Sequence, residues 1–117
     1  MWTLKGHTDS VYALAVLGNG SLATGSYDNT VRVWDLATGK CIWVLEGHTT
    51  GVNVLTVLPD GRLASGSYDM TVRVWNLDTG ECALTLEGYK DTIADMVVLP
   101  DGWLATGSYE NTVRVWK

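Results

Sequence analysis

Two histidines, two cysteines and three tyrosines recur in this 117-residue chain at one interval. His7 and His48, Cys41 and Cys82, and then Tyr27, Tyr68 and Tyr109 stand 41 residues apart. Imidazole and thiolate are common zinc ligands, and imidazole is also the most frequent general base. A zinc site needs four donors gathered in one shell. The two histidines fall in different units, and no Cys or Asp/Glu cluster completes a shell around either, so no metal and no cofactor is expected. Cys41 and Cys82 hold the same position in successive units and should lie one unit apart without facing each other. A disulfide is not expected, and unpaired thiols fit a reducing, cytoplasmic setting.

The interval itself is the stronger signal. Arg-Val-Trp occurs at residues 32–34, 73–75 and 114–116, and more than half of all positions match when the chain is shifted by one unit in either comparison. Such self-similarity marks a repeat architecture and outranks local conformational preference. The units run 1–41, 42–82 and 83–117. Each reads as short strands between turns: in the first, residues 10–17, 21–26, 30–34 and 41–47. Strict alternation in Thr-Val-Arg-Val-Trp suits a half-buried strand, and no segment keeps a helical period. Leu-Pro-Asp-Gly at 58–61 and 99–102 supplies a turn, with proline fixing φ and glycine accepting positive φ.

Composition narrows the function classes. A hydrophobic fraction of 46% excludes a disordered tail, and a net charge of −5 argues against a phosphate-binding surface, so no nucleic-acid partner is expected. No apolar run approaches the length of a membrane span, and the N-terminal residues do not read as a signal peptide. No membrane partner is expected.

Gly6-His7 and Gly47-His48 stand at matching places, and Trp34-Asp35 becomes Trp75-Asn76 and then Trp116-Lys117. Repeated in register, these dipeptides resemble the WD-repeat β-propeller family over essentially the whole chain. The resemblance implies an all-β fold of four-stranded antiparallel blades, three per chain. It also implies a hydrogen-bonded set in each blade: His7, Thr24, Asp28 and Trp34, then His48, Ser65, Asp69 and Trp75. In the third unit Tyr89 replaces histidine and Glu110 replaces aspartate, with Thr106 and Trp116 kept. Carboxylate, imidazole and hydroxyl together resemble part of a hydrolase triad. A nucleophile needs access and an oxyanion site, whereas a buried polar chain needs only to be complete. The structural role is expected, with no catalytic residue and no enzyme.

By the same resemblance Tyr27, Tyr68 and Tyr109 lie on the top face, joined at the start of each first strand by Tyr12, Asn53 and Ala94. These six are candidate ligand-binding positions, because tyrosine offers contact area and a hydrogen bond at low entropy cost. The alternative is packing across blade boundaries. Arg32, Arg73 and Arg114 should lay their stems along a neighbouring strand with the guanidinium in water. Asp95, aligned with Ala13 and Val54, is expected to be hydrated.

Residues 1–6 align with fourth strands, while the third unit stops before its own. One chain's N-terminal strand is therefore expected to complete the last blade of a neighbour, through Trp2 and Leu4 against Val113 and Val115. The expected protein is a non-enzymatic, self-assembling scaffold closing a nine-bladed trimer in preference to a six-bladed dimer, with a rim able to bind a protein or peptide. The alternatives are a fragment of a larger protein of this family, or an amplified or designed repeat without a natural ligand.

Overall fold

The computed structural model describes residues 3–116. Trp2, expected to take part in closure, lies outside the described residues. Strands β1 (Val11–Val16), β2 (Leu22–Ser26), β3 (Val31–Asp35) and β4 (Lys40–Leu45) form one sheet in that order. Strands β5 (Val52–Val57), β6 (Leu63–Ser67), β7 (Val72–Asn76) and β8 (Glu81–Leu86) form the second. Strands β9 (Ile93–Val98), β10 (Leu104–Ser108) and β11 (Val113–Trp116) form a three-stranded third, ordered β11-β10-β9. All pairings are antiparallel. The strands are a little shorter than their β-forming runs, because the terminal residues enter turns.

The turns explain the meander. Gly20, Gly61 and Gly102 adopt φ between 85° and 89° at the first turn of each blade, a region open to glycine without a Cβ clash. At the second turn Asn29 and Asn111 hold φ of 75° and 67°, as asparagine tolerates, but Met70 holds φ 68° without that excuse.

Each sheet buries apolar side chains against its neighbour. Val31 and Val33 of the first sheet pack with Val52, Leu55 and Trp75 of the second. Val72 and Val74 of the second pack with Ile93, Met96 and Leu104 of the third. The approach is close enough to require glycine. A Cβ on Gly25 would meet Val52 Cγ1 at 2.7 Å, and one on Gly66 would meet Ile93 Cγ2 at 2.7 Å. A valine or isoleucine thus enters a notch left by glycine on the preceding blade. Around Gly107, the third such position, a Cβ would meet nothing within 4 Å.

Candidate functional site

In each of the first two blades a histidine, a hydroxyl, a carboxylate and an indole form one hydrogen-bonded chain. His7 Nδ1 lies 2.7 Å from Asp28 Oδ2, and His7 Nε2 lies 2.7 Å from Thr24 Oγ1. The Trp34 indole N–H donates to the same Thr24 oxygen at 2.9 Å. With a neutral imidazole the protons run one way, from indole to hydroxyl to Nε2, and from Nδ1–H to the carboxylate. The second blade repeats this: His48 Nδ1 to Asp69 at 2.8 Å, Nε2 to Ser65 at 2.7 Å, and Trp75 N–H to Ser65 at 2.8 Å.

Sequence reasoning missed two further members. Thr30 and Thr71 hydroxyls donate to the Asp28 and Asp69 carboxylates at 2.6 Å, and the Thr8 and Thr49 backbone N–H groups donate to the other oxygen. Burial opposes ionisation of Asp28, yet hydrogen bonds from Thr30 and His7 outweigh it and hold the carboxyl at about 2. At Asp69 burial again opposes, and His48 and Thr71 hold the carboxyl well below the usual range.

The Ser65 hydroxyl is fully buried and engaged by both indole and imidazole. A nucleophile in that position has no line of approach.

The third blade is wired differently. The Tyr89 hydroxyl sits between Thr106 and Trp116, bonding the first and accepting the Trp116 indole N–H at 2.6 Å. Trp116 also donates to Thr106 at 3.2 Å. Glu110 does not join this set. It accepts from the Lys90 N–H and the Thr112 hydroxyl, with Arg114 at 3.6 Å. The phenol restores the inner half of the chain, and the carboxylate ties its turn to the segment before β9 without reaching the phenol.

At the same end of the sheets lie the rim candidates. In the ladders between first and second strands, the register skips Tyr12, Asn53 and Ala94. All three are β-bulge residues, and bulges re-aim side chains. Tyr12 is exposed and its ring centroid lies 3.9 Å from that of Tyr27. Tyr27 lies 5.3 Å from Tyr68 and shares a 2.9 Å hydroxyl–hydroxyl bond with it. Bonds to Tyr68 and Tyr12 raise the Tyr27 phenol well above its ordinary value. The Tyr27 ring also covers Gly51 of the next blade, where a Cβ would come within 2.2 Å. Tyr27 therefore packs across a blade boundary, Tyr12 and Tyr68 present surface, and Tyr109 stands exposed. Asn53 instead bridges blades, its Nδ2 donating to Ile93 O at 2.7 Å, and Ala94 is half-buried.

The arginines depart from expectation. Arg32 and Arg73 lay the guanidinium on Gly6 and Gly47, where a Cβ would stand 2.6 and 2.7 Å from Nη1. Their Nε atoms are buried, as is that of Arg114, although the Arg114 side chain as a whole stays 38% exposed. Gly6 and Gly47, which precede the histidines at φ 157° and 152°, leave room for this stacking. Trp43, unmarked by sequence reasoning, ties two blades by donating to Leu77 O at 2.8 Å and covering Gly80. Trp103 is partly exposed beyond β9 and β10, and Asp95 is exposed on the open side of the third sheet.

That open side holds Val113 and Val115. Val31 and Val72 are 0% exposed, whereas Val113, the third copy, is 74% exposed. On the opposite side Val52 and Ile93 are 0% exposed, whereas Val11 is 47% exposed. Leu4 is half-buried, and residues 3–6 form no strand with this chain's own sheets.

The sequence model of the "WD domain, G-beta repeat" family matches residues 1–35, 39–76 and 80–117. A CCR4-associated factor 4 homolog of Candida glabrata is 58% identical over 40 residues, covering 34% of this chain and 7% of that protein. The WD repeat-containing protein pop1 of Schizosaccharomyces pombe is 52% identical over 40 residues, covering 34% of this chain and 5% of that protein. Among solved structures, the WD40 beta propeller domain of Doa1 superposes with a TM-score of 0.89 at 30% identity. It covers 95% of this chain and 38% of that one. The chain thus spans a small part of the length of these relatives.

Proposed function

We propose that this chain, which belongs to the WD domain, G-beta repeat family, is a non-enzymatic β-propeller scaffold that closes a ring with further copies of itself and presents a rim to a protein or peptide partner. The carrying observation is the pair of complementary open faces. The empty notch at Gly107, flanked by Val113 and Val115, has the form of the notches at Gly25 and Gly66. Val11 and Leu14 on the far side stand where Val52 and Leu55 enter such a notch. A second copy therefore offers the contact this chain already makes twice within itself.

The ladder register supports strand exchange as well. Leu45 pairs with Val31 and Leu86 with Val72. The same register puts Leu4 of a neighbour opposite Val113. Three blades per copy give rings of six or nine, and the trimer is favoured because a wider ring admits water where a tighter one must compress packed blades. The free thiols of Cys41 and Cys82 support a cytoplasmic setting.

Native mass spectrometry across a dilution series tests the assembly. A trimer is expected and a dimer keeps the ring, while a folded monomer at micromolar concentration overturns self-closure. The small share of its relatives that the chain covers favours a second reading, three blades of a longer propeller. That reading predicts the monomer.

A further inference from the structure

We infer that the Tyr12–Tyr27–Tyr68 cluster receives the cationic side chain of an arginine-bearing peptide segment. The inference rests on the binding role proposed for the rim and names the chemistry of its partner. Three features carry it.

The aromatic surface is built and held. Tyr27 is pinned between Tyr12 and Tyr68 and seated on Gly51, so the three rings form one continuous patch across the first two blades. Tyr12 and Tyr68 leave ring surface in solvent. A phenol ring carries negative potential on its face, which attracts ammonium and, more often, planar guanidinium groups.

The charge around the patch has the matching sign. The segments that precede each first strand share this end of the sheets with the tyrosines. With the arginines packed against Gly6, Gly47 and Gly88 and the three turn acids counted in, carboxylates at this end outnumber cations by seven to five, and Asp9, Glu46, Glu87 and Asp91 are the exposed ones. Asp9 is in the segment that joins the cluster directly, since the Tyr27 N–H donates to Ser10 O and the Ser26 hydroxyl to Asp9 O. An anionic partner is repelled on approach and a cationic one is drawn in.

Hydrogen-bonding capacity remains for the peptide backbone. With Tyr27 O–H donating to the Tyr68 oxygen, Tyr68 keeps its own hydroxyl proton for a peptide carbonyl. Ring faces thus take the side chain, and the hydroxyl orients the chain that carries it.

The test is calorimetric titration of the full chain with a five-residue peptide holding two arginines, alongside its glutamine and glutamate counterparts. The arginine peptide should bind, more weakly as salt rises, and the glutamate peptide should not. Tyr12→Ala and Tyr68→Ala should each weaken binding by roughly threefold or more, and Tyr12→Phe should retain it. Asp101→Asn, at the opposite end of the sheets, should change nothing. Tyr12 is exposed, so its variants report even if Tyr68→Ala fails to fold. No binding of the arginine peptide, equal binding of the glutamate peptide, or indifference to both alanine variants overturns the inference. A random-sequence peptide screen separates this failure from that of the rim: hits without arginine leave a binding rim standing, and an empty screen removes it.

Discussion

The second and third blades share more than half their residues yet differ in what surrounds them and in how their polar groups connect. The second has neighbours on both sides, and its chain runs unbroken from Trp75 to Asp69. The third has a neighbour on one side only, and its chain stops at Tyr89. A repeat template therefore fixes which side chains could be buried, while the adjoining blade decides whether they are.

The largest break in this comparison should come from His48→Ala. It removes the imidazole that joins Asp69 to Ser65, and loss of a buried network member costs about 3 kcal/mol. Tyr89→Phe, which removes only the phenol bridge, should cost about 1 kcal/mol. Urea unfolding of the two variants checks the difference, and equal losses would remove the distinction between blades.

Gly66→Ala comes next. Its methyl must displace Ile93 and Val54, and such overpacking costs about 1–3 kcal/mol. Gly107→Ala should leave the stability of a single chain nearly unchanged but weaken assembly, because the notch it fills is the one a second copy must enter. Thermal melts and native mass spectrometry on both variants read the two effects separately.

Acid should act most strongly through the first two blades, although the Thr112 hydroxyl also holds the Glu110 carboxyl of the third below its ordinary value. Asp28 and Asp69 have folded values below their unfolded ones, so their contribution is present above the ordinary carboxylate range. It should fade as pH falls from about 4 toward about 2. A pH series of melting temperatures checks this, and a flat profile in that window contradicts the assigned bonds.

Converting the third blade to the pattern of the others, by Tyr89→His with Glu110→Asp, should raise the melting temperature by about 4–8 °C, the shift expected for roughly 1 kcal/mol. The conversion should also steepen the acid response. Least in size, Met70→Asn should stabilise by about 0.5–1 kcal/mol, because asparagine tolerates the left-handed φ that methionine holds there. Differential scanning calorimetry resolves both, and no gain in either would show that the repeats compensate elsewhere.

Much of the fold was legible because strand alternation, turn residues and a 41-residue interval are local or periodic properties. The strands, their order within a blade and the His7 and His48 partners follow from that interval and the family dipeptides it carries in register. Other features depend on atoms distant in sequence. The bulges that turn Tyr12 and Asn53, the seat of Tyr27 on Gly51, and the stacking of Arg32 on Gly6 each require a partner set by sheet register or by the next blade. Tyr89 illustrates the limit: the sequence by itself determined that histidine was missing, but only the tertiary structure decided that a phenol could bridge Thr106 to Trp116 while Glu110 served its turn. Pattern specifies which groups recur. Distance and burial, which arise only when separate segments pack, specify which of them meet.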